Sequence, residues 1–316
     1  MSEEINEWER SVLEKLALSA VQEQRRARRW GIFFKLATFA YITFILILIT
    51  GWIGGDTALM TGKHTALIEL EGVISEKSPA SADNLIASLQ AAFADKGTQG
   101  IVLRINSPGG SPVQAGLVND EIHRLRKIYP AIPLYAVVED ICASGGYYIA
   151  AAADKIYVNK ASIVGSIGVL MDGFGFTGTM NKLGVERRLL TAGENKGFMD
   201  PFSPRNAKHE AFTKVMLEEI HQQFIAVVKE GRGKRLKVSP EIFSGLFWSG
   251  KKSIEMGLSD EIGSLGSVSR DVIKAQDIVD FTTHEGLADR LSKRFGAGVA
   301  SALPNFSSQL GGITLR

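Results

Sequence analysis

The sequence is poor in the residues that several common kinds of site require. It has one cysteine, Cys142, in 316 residues, which excludes an internal disulfide and a zinc cluster built from cysteines. Its 36 lysines and arginines barely outnumber its 34 aspartates and glutamates, so the formal net charge is +2. Without a basic excess there is little to neutralise nucleic-acid phosphates, and the composition therefore predicts no nucleic-acid partner.

The overall composition is that of a folded protein. Hydrophobic residues make up 45% and charged residues 22%, which excludes a disordered chain. Its length predicts about two folding units. Many of its 33 glycines stand in Gly-Gly turns, where the backbone can come close to another group because no side chain intervenes.

One stretch near the start is apolar enough to cross a membrane. No charge occurs from residue 36 to residue 53, and extending the stretch back to Trp30 adds only Lys35. Crossing a bilayer takes about 20 apolar residues, so we predict a span over 31–53. Four arginines stand just before it: Arg25, Arg26, Arg28 and Arg29. The positive-inside rule then predicts a cytoplasmic N-terminus and a main domain outside the cytoplasm. A cleaved signal peptide and a buried core helix are the alternatives.

The rest of the chain divides around that span. We predict a cytoplasmic leader helix over 1–30, a linker over 54–65, a main domain over 66–270 and a helical tail over 271–316. In the main domain, β-rich runs alternate with amphipathic helical runs, which is typical of βαβ crossovers. The expected fold class is therefore α/β, with a mostly parallel sheet and flanking helices.

Two glycine-rich turns that each follow a predicted strand are the main candidates for chemistry. In an open α/β sheet, ligands bind beyond the carboxyl ends of the strands, so both turns should face one crevice. Ser144 stands where the second turn opens a helix, and a serine there can attack a carbonyl. The Gly145 N–H and the turn at Gly109 and Gly110 could stabilise the oxyanion. Two ordinary strand-to-helix turns would give the same pattern.

The sequence limits which residue could activate this serine. No histidine lies between His123 and His209, so a base shortly downstream of Ser144 cannot be histidine. A lysine can serve if burial lowers its pKa from about 10.4 to about 7–8. The candidates, which could equally be ordinary solvated side chains, are Lys155, Lys160, Lys182 and Lys196.

Four motifs in chain order resemble the bacterial signal peptide peptidase A family, also called protease IV, in its short, single-repeat, membrane-anchored form. They are NSPGG, ASGGYYIAAAADKIYVNKASIVGSIGV, GENKGFMDPFSP and GLFWSGKKSIEMGLSDEIG. The resemblance runs from about residue 66 to residue 266. ASGGYY followed by GSIGV is specific, whereas SPGG alone also occurs in Clp-like proteases and crotonases. The resemblance implies a Clp/crotonase-like fold preceded by one transmembrane helix.

The resemblance also implies a role for each site residue. Ser144 would be the nucleophile, Lys196 the general base, and Ser166 the residue that orients the lysine. Gly110 and Gly145 would donate the oxyanion hydrogen bonds. Family members form dome-shaped rings, so a homo-oligomer is expected in which Lys196 can reach the Ser144 of a neighbouring subunit. This Ser-Lys dyad needs no metal and no cofactor.

The expected function is that of a serine endopeptidase anchored in the bacterial cytoplasmic membrane. Its peptide substrates would be remnant signal peptides and other apolar peptides released at the membrane. A related membrane-bound serine peptidase that cuts other membrane proteins is the nearest alternative. A crotonase-like acyl-CoA enzyme and a non-catalytic membrane scaffold are alternatives of a different class.

Overall fold

A computed structural model describes residues 2–49 and 62–283 of the chain, which fall into two units. In the first unit, helix α1 runs without a break over Ser2–Ile49, so the predicted leader and the predicted span share one helix. Its segment Val21–Ile47 contains a stretch that is long and apolar enough to cross a membrane, and this stretch follows the four arginines at residues 25–29. At 1.5 Å per residue, residues 30–47 span about 27 Å, close to the ~30 Å hydrocarbon core of a bilayer. Residues 50–53 of the predicted span lie outside the described residues.

The second unit is built on one sheet of eight strands. The strands are β1 His64–Glu71, β2 Thr98–Ser107, β3 Leu134–Ala143, β4 Lys155–Val158, β5 Ile163–Gly165, β6 Phe247–Ser249, β7 Glu261–Ile262 and β8 Ile278–Asp280. Their order is β6-β5-β3-β2-β1-β8, with β4 pairing β3 and β7. Every pair is parallel except β5 with β6. The predicted α/β class with a mostly parallel sheet is confirmed.

Helices connect and cover these strands. They are α2 Ala82–Ala94, α3 Pro112–Ile128, α4 Gly145–Ala150, α5 Thr177–Leu183, α6 Ala207–Arg232, α7 Gly250–Glu255 and α8 Leu265–Ser267, with 3-10 turns at Gly233–Arg235 and Pro240–Phe243 and a π-helix at Val268–Ile273. Local chemistry explains where α3 begins. Ser111 caps it by accepting a hydrogen bond from the Gln114 N–H, and Pro112, which has no N–H to leave unpaired, takes its first position.

Apolar packing holds the helices to the sheet. The larger core joins strand residues such as Ile68 and Leu103 to Phe93 of α2, Ile122 of α3 and Val228 of α6. A smaller cluster involves Val102, Val137, Tyr157 and Val268. Burying each large aliphatic or aromatic side chain contributes about 1.5–3 kcal/mol, so the larger core supplies most of the stability.

Strand β3 changes partner along its length, and this shapes the site. Its residues 135–138 pair with β4, whereas residues 141–143 pair with β5. The ends of β3 and β5 therefore lie side by side, and the Ser144 N–H donates to the Gly165 carbonyl over 2.9 Å. Ser144 and Ser166, which directly follow the two strands, are therefore neighbours.

The sheet extends past the boundary predicted at residue 270. Strand β8 pairs with β1 in parallel, and the Phe281 N–H donates to the Leu67 carbonyl over 2.8 Å. The segment predicted as a helical tail over 271–316 thus contributes its first residues to the main domain. From residue 284 onward the predicted tail lies outside the described residues.

Candidate active site

Ser144 occupies a strained turn between β3 and α4. Its backbone has φ 50° and ψ −123°, a region that residues with a side chain seldom adopt and that costs about 1–3 kcal/mol. The side chain is half-buried and forms no capping hydrogen bond with α4. A serine held at this cost with its hydroxyl unused by the helix is typical of a functional position.

The turn at Gly109 and Gly110 packs directly against Ser144. Gly110 has φ +151°, and a Cβ placed on it would lie 2.1 Å from the Ile74 carbonyl oxygen. Gly109 has φ +100°, and a Cβ there would lie 2.7 Å from both the Ser144 Cβ and the Gly145 nitrogen. Both positions therefore require glycine, and the missing side chains allow the two turns to approach each other.

Two backbone N–H groups beside the serine are available to a ligand. Within residues 62–283, neither the Gly110 N–H nor the Gly145 N–H donates to a protein acceptor. A Cβ placed on Gly145 would lie 3.3 Å from the Gly110 nitrogen, so the two amides are neighbours. Paired donors of this kind can stabilise the negative oxygen of a tetrahedral intermediate.

Ser144, Gly110, Gly145 and Ser166 line one cavity of about 520 Å³. Much of the remaining wall is apolar and is formed by Pro108, Pro112, Tyr148, Val169, Leu170, Ile220 and Phe224. Gln223 and Ser244 are its polar side chains besides the two serines and the Tyr148 hydroxyl. No carboxylate, imidazole, amine or guanidinium belongs to the described residues that line it. The cavity can hold an apolar ligand beside a serine, but none of the described residues that line it can act as a base.

Ser166 follows β5 as Ser144 follows β3. It also has a positive φ, 53°, and its N–H donates to the Leu246 carbonyl over 2.7 Å. Its own carbonyl accepts the Gly168 N–H over 3.0 Å. These bonds hold the turn at the rim of β5, where Ser166 and Ser144 face the same cavity.

Lys196 stands in the long segment between β5 and α6. It is exposed in a turn between β5 and α6, where its N–H donates to the Gly193 carbonyl over 3.1 Å, and it does not line the cavity. Around it, α5 has no buried residue, and large apolar side chains point to solvent. The most exposed of these are Leu170, Phe174, Leu183 and Leu190, the last at 96%. One chain by itself thus gathers the serines and the amide donors, but not the lysine.

Cys142, two residues before Ser144, is not a competing nucleophile. It is fully buried in β3, and burial raises the pKa of its thiol well above the ordinary value. The thiolate is the reactive form, so this cysteine is inert in the folded protein. No group of three or more histidine, cysteine, aspartate or glutamate side chains that could hold a metal ion occurs within residues 2–49 and 62–283.

Sequence reasoning missed the wall that α6 contributes to the cavity. The periodicity of apolar and charged residues predicts one long amphipathic helix from residue 202 to about residue 235, and α6 over Ala207–Arg232 confirms it. Ile220 and Phe224 face the cavity from it, and the Phe224 ring lies 5.0 Å from the Tyr148 ring. The periodicity indicated a buried face on this helix, but it carried no information about which element or cavity that face would meet.

Comparison with known proteins identifies relatives of this chain. The model of peptidase family S49 matches residues 127–278. A protein of Methanocaldococcus jannaschii named as a protease is 30% identical over 230 residues, which cover 70% of this chain and 72% of that protein. A protein of Enterococcus faecium named as the signal peptide peptidase SppA is 29% identical over 236 residues, covering 71% of this chain and 67% of its own.

A third relative is much longer than this chain. The Na⁺/H⁺ antiporter NhaA of Brucella abortus is 46% identical over 182 residues, which cover 58% of this chain and 25% of the antiporter. The matched part is thus a quarter of that protein's length. Its name describes the longer protein and carries no transport function over to this chain.

Proposed function

Because the chain belongs to peptidase family S49, we propose that it is a serine endopeptidase with Ser144 as the nucleophile and Lys196 as the general base. The observation that carries the proposal is the arrangement at Ser144. A half-buried serine in a strained turn adjoins two N–H groups that have no acceptor within residues 62–283, at the wall of a largely apolar cavity. Nucleophilic catalysis of acyl transfer needs this combination.

The proposed reaction has two stages. The Lys196 amine removes the proton of the Ser144 hydroxyl as its oxygen attacks the peptide carbonyl, and the Gly110 and Gly145 N–H groups bind the resulting oxyanion. The lysine then gives the proton to the leaving amine, which departs and leaves an acyl-enzyme. Water, deprotonated by the same lysine, hydrolyses the ester and regenerates the serine. Ser166 orients the lysine at the cavity wall.

The lysine would come from a neighbouring copy of the chain. No amine belongs to the lining that residues 62–283 of one chain form, while Lys196 is exposed on a segment rich in solvent-facing apolar side chains. Leu170 and Phe174, each 79% exposed, belong to the same segment. Exposed apolar surface of this kind favours contact with another protein surface. A homo-oligomeric ring would bury it and deliver Lys196 to the next Ser144.

The proposed substrates are apolar peptides at the membrane, including remnants of signal peptides. The apolar wall formed by Tyr148, Ile220 and Phe224 supports this class. Helix α1, with its span Val21–Ile47, would hold the enzyme in the bacterial cytoplasmic membrane beside such substrates. Cleavage of other membrane proteins by the same chemistry is the nearest alternative. An acyl-CoA enzyme of the crotonase type would need a carboxylate at the cavity, and none of the described residues that line it supplies one.

The dyad is tested by two substitutions in the full-length chain in detergent. Ser144→Ala and Lys196→Ala should each lower hydrolysis of an apolar fluorogenic peptide by at least about 10³-fold, since members of a dyad act as a unit. Lys182→Ala is the matched control, because Lys182 is also an exposed lysine between β5 and α6. Unchanged particle size in gel filtration shows that assembly is intact. An active Lys196→Ala variant would contradict the assignment of the base.

Mixing the two inactive variants tests whether the site is shared between subunits. If the serine and the lysine come from neighbours in a ring, random co-assembly should restore about a quarter of the sites, because one neighbour then supplies each intact residue. If both residues come from the same chain, mixing restores nothing. The experiment is done by dissociating and reassembling equal amounts of Ser144→Ala and Lys196→Ala, with each variant alone as its control.

A further inference from the structure

Two side-chain hydrogen bonds attach the short helix that begins next to Ser144 to the rest of the domain. Helix α4 has six residues, too few to be stable by itself. Tyr147, at its centre, is fully buried, and its hydroxyl donates to the Leu258 carbonyl over 2.7 Å. The Asn119 side-chain amide donates to the Tyr148 carbonyl over 2.9 Å. Two side-chain hydrogen bonds therefore tie α4 to the surrounding domain.

The acceptor of the Tyr147 hydroxyl is itself firmly anchored. The buried Arg232 side chain donates its Nε to the Gly257 carbonyl over 2.8 Å. Its two terminal nitrogens donate to the Asp260 carboxylate over 2.9 and 2.8 Å. Asp260 also accepts the Ile156 N–H over 2.7 Å. Leu258 thus lies between two residues that Arg232 holds, so its carbonyl is a fixed reference point for α4.

This attachment matters because the Ser144 backbone is strained. A residue at φ 50° and ψ −123° keeps that conformation only if its surroundings hold it there. Tyr147 follows Ser144 by three residues and does not line the cavity, so it can act on the serine only through the position of α4. We propose that Tyr147 is a positioning residue. The hydrogen bond from its hydroxyl to the Leu258 carbonyl holds α4, and thereby keeps the Ser144 hydroxyl and the Gly145 N–H in position relative to each other. This inference rests on the proposed peptidase function.

A second buried tyrosine in this domain supplies a matched control. Tyr157 on β4 is also a buried tyrosine, at 2% exposure, but its hydroxyl has no hydrogen-bond partner among the described residues. Tyr147→Phe and Tyr157→Phe therefore make the same chemical change, because each removes one hydroxyl group from a buried ring. Only the first removes a hydrogen bond, and it leaves the Leu258 carbonyl without that donor.

The experiment compares the two variants in the full-length chain. We expect Tyr147→Phe to lower kcat on an apolar fluorogenic peptide about tenfold, because small displacements of a reacting group have large effects on rate. KM should stay within about twofold, since the cavity wall is unchanged. The rate at which a fluorophosphonate labels Ser144 should fall in parallel with kcat. Tyr157→Phe should alter none of these values.

Three results would overturn the inference. One is an unchanged kcat in Tyr147→Phe, with or without a lower melting temperature, since the hydroxyl would then be structural only. Another is an equal fall of kcat in Tyr157→Phe. The third is loss of the folded state, judged by circular dichroism, in Tyr147→Phe alone. A parent chain that neither cleaves peptide nor reacts at Ser144 would instead overturn the proposed function, and this inference with it.

Discussion

At the scale of single residues, Gly110 shows how closely the two turns of the site are fitted. Its N–H is one of the two donors beside Ser144 that have no acceptor in the described part of the chain, while its Cα faces the Ile74 carbonyl. The Ile74 N–H donates to the Gly109 carbonyl and the Ser111 N–H to the Ile74 carbonyl, over 2.9 and 2.8 Å. The donor is therefore held in place by the backbone on both sides. Any added side chain must displace that backbone.

We accordingly expect Gly110→Ala to damage both activity and stability. A Cβ 2.1 Å from the Ile74 oxygen forces the turn apart, so peptidase activity should fall by at least about 100-fold and stability by about 1–3 kcal/mol. Gly116→Ala in α3 is the control, because nothing lies within 4 Å of its added Cβ. That change should stabilise the chain by about 0.5–1 kcal/mol. Peptide hydrolysis and thermal melting measure the two effects, and an active Gly110→Ala variant would contradict the placement of the donor.

The site residues were predictable from sequence to different degrees. Ser144, Gly110 and Gly145 lie in the two glycine-rich turns that follow predicted strands, and the ends of parallel strands meet at one edge of a sheet. Their gathering at one cavity thus follows from local patterns and one topological rule, whereas Ser166 was predicted only from the family resemblance. The position of Lys196 does not, because it stands in a segment with few buried residues and no strand to place it.

At the scale of elements, α6 contributes from its middle and from its last residue. Ile220 and Phe224 form part of the cavity wall, and Arg232 near the C-terminus is buried against Asp260. Burial would raise the pKa of Asp260, but the hydrogen bonds and positive charge of Arg232 outweigh it and hold this pKa below its ordinary value of 3.8. The ion pair therefore links α6 to the loop that accepts the Tyr147 hydroxyl.

A pH dependence of stability follows from this pair. Because the pKa of Asp260 is lower in the folded chain, the stabilisation is fully present above about pH 4, the ordinary range of aspartate, and is lost as the pH falls through the lowered value. Asp260→Asn should destabilise the chain by about 3 kcal/mol at neutral pH, since it leaves buried Arg232 without a counter-charge. It should also flatten the acid limb of melting temperature against pH. Asp271→Asn, which removes a solvent-exposed pair with Arg270, should leave stability nearly unchanged. Equal losses in the two variants would contradict this account.

Elements with a clear sequence pattern were predictable, and the shortest strands were not. Strands β1 to β4 and the helices α2, α3 and α6 carry a clear period or a continuous apolar run, and each lies where the sequence places it. Strands β5, β6, β7 and β8 have two or three residues, too few to show any period. They form through pairing with distant partners, as β8 does with β1 across more than 200 residues of chain. Information of that kind is not present in a local window.

At the scale of the whole molecule, the charges around α1 predict how the chain crosses a membrane. Four arginines precede most of the apolar length of Val21–Ile47, and this bias predicts a cytoplasmic N-terminus. In a Cys142→Ser background, Ser2→Cys should resist a membrane-impermeant maleimide in intact spheroplasts and react after lysis. Lys127→Cys, an exposed position on α3, should react in intact spheroplasts. The parent chain, labelled separately, is the control, because its buried Cys142 should react only after unfolding. The reverse labelling pattern would place the peptidase domain in the cytoplasm, where the proposed ring could not meet peptides released on the outer face.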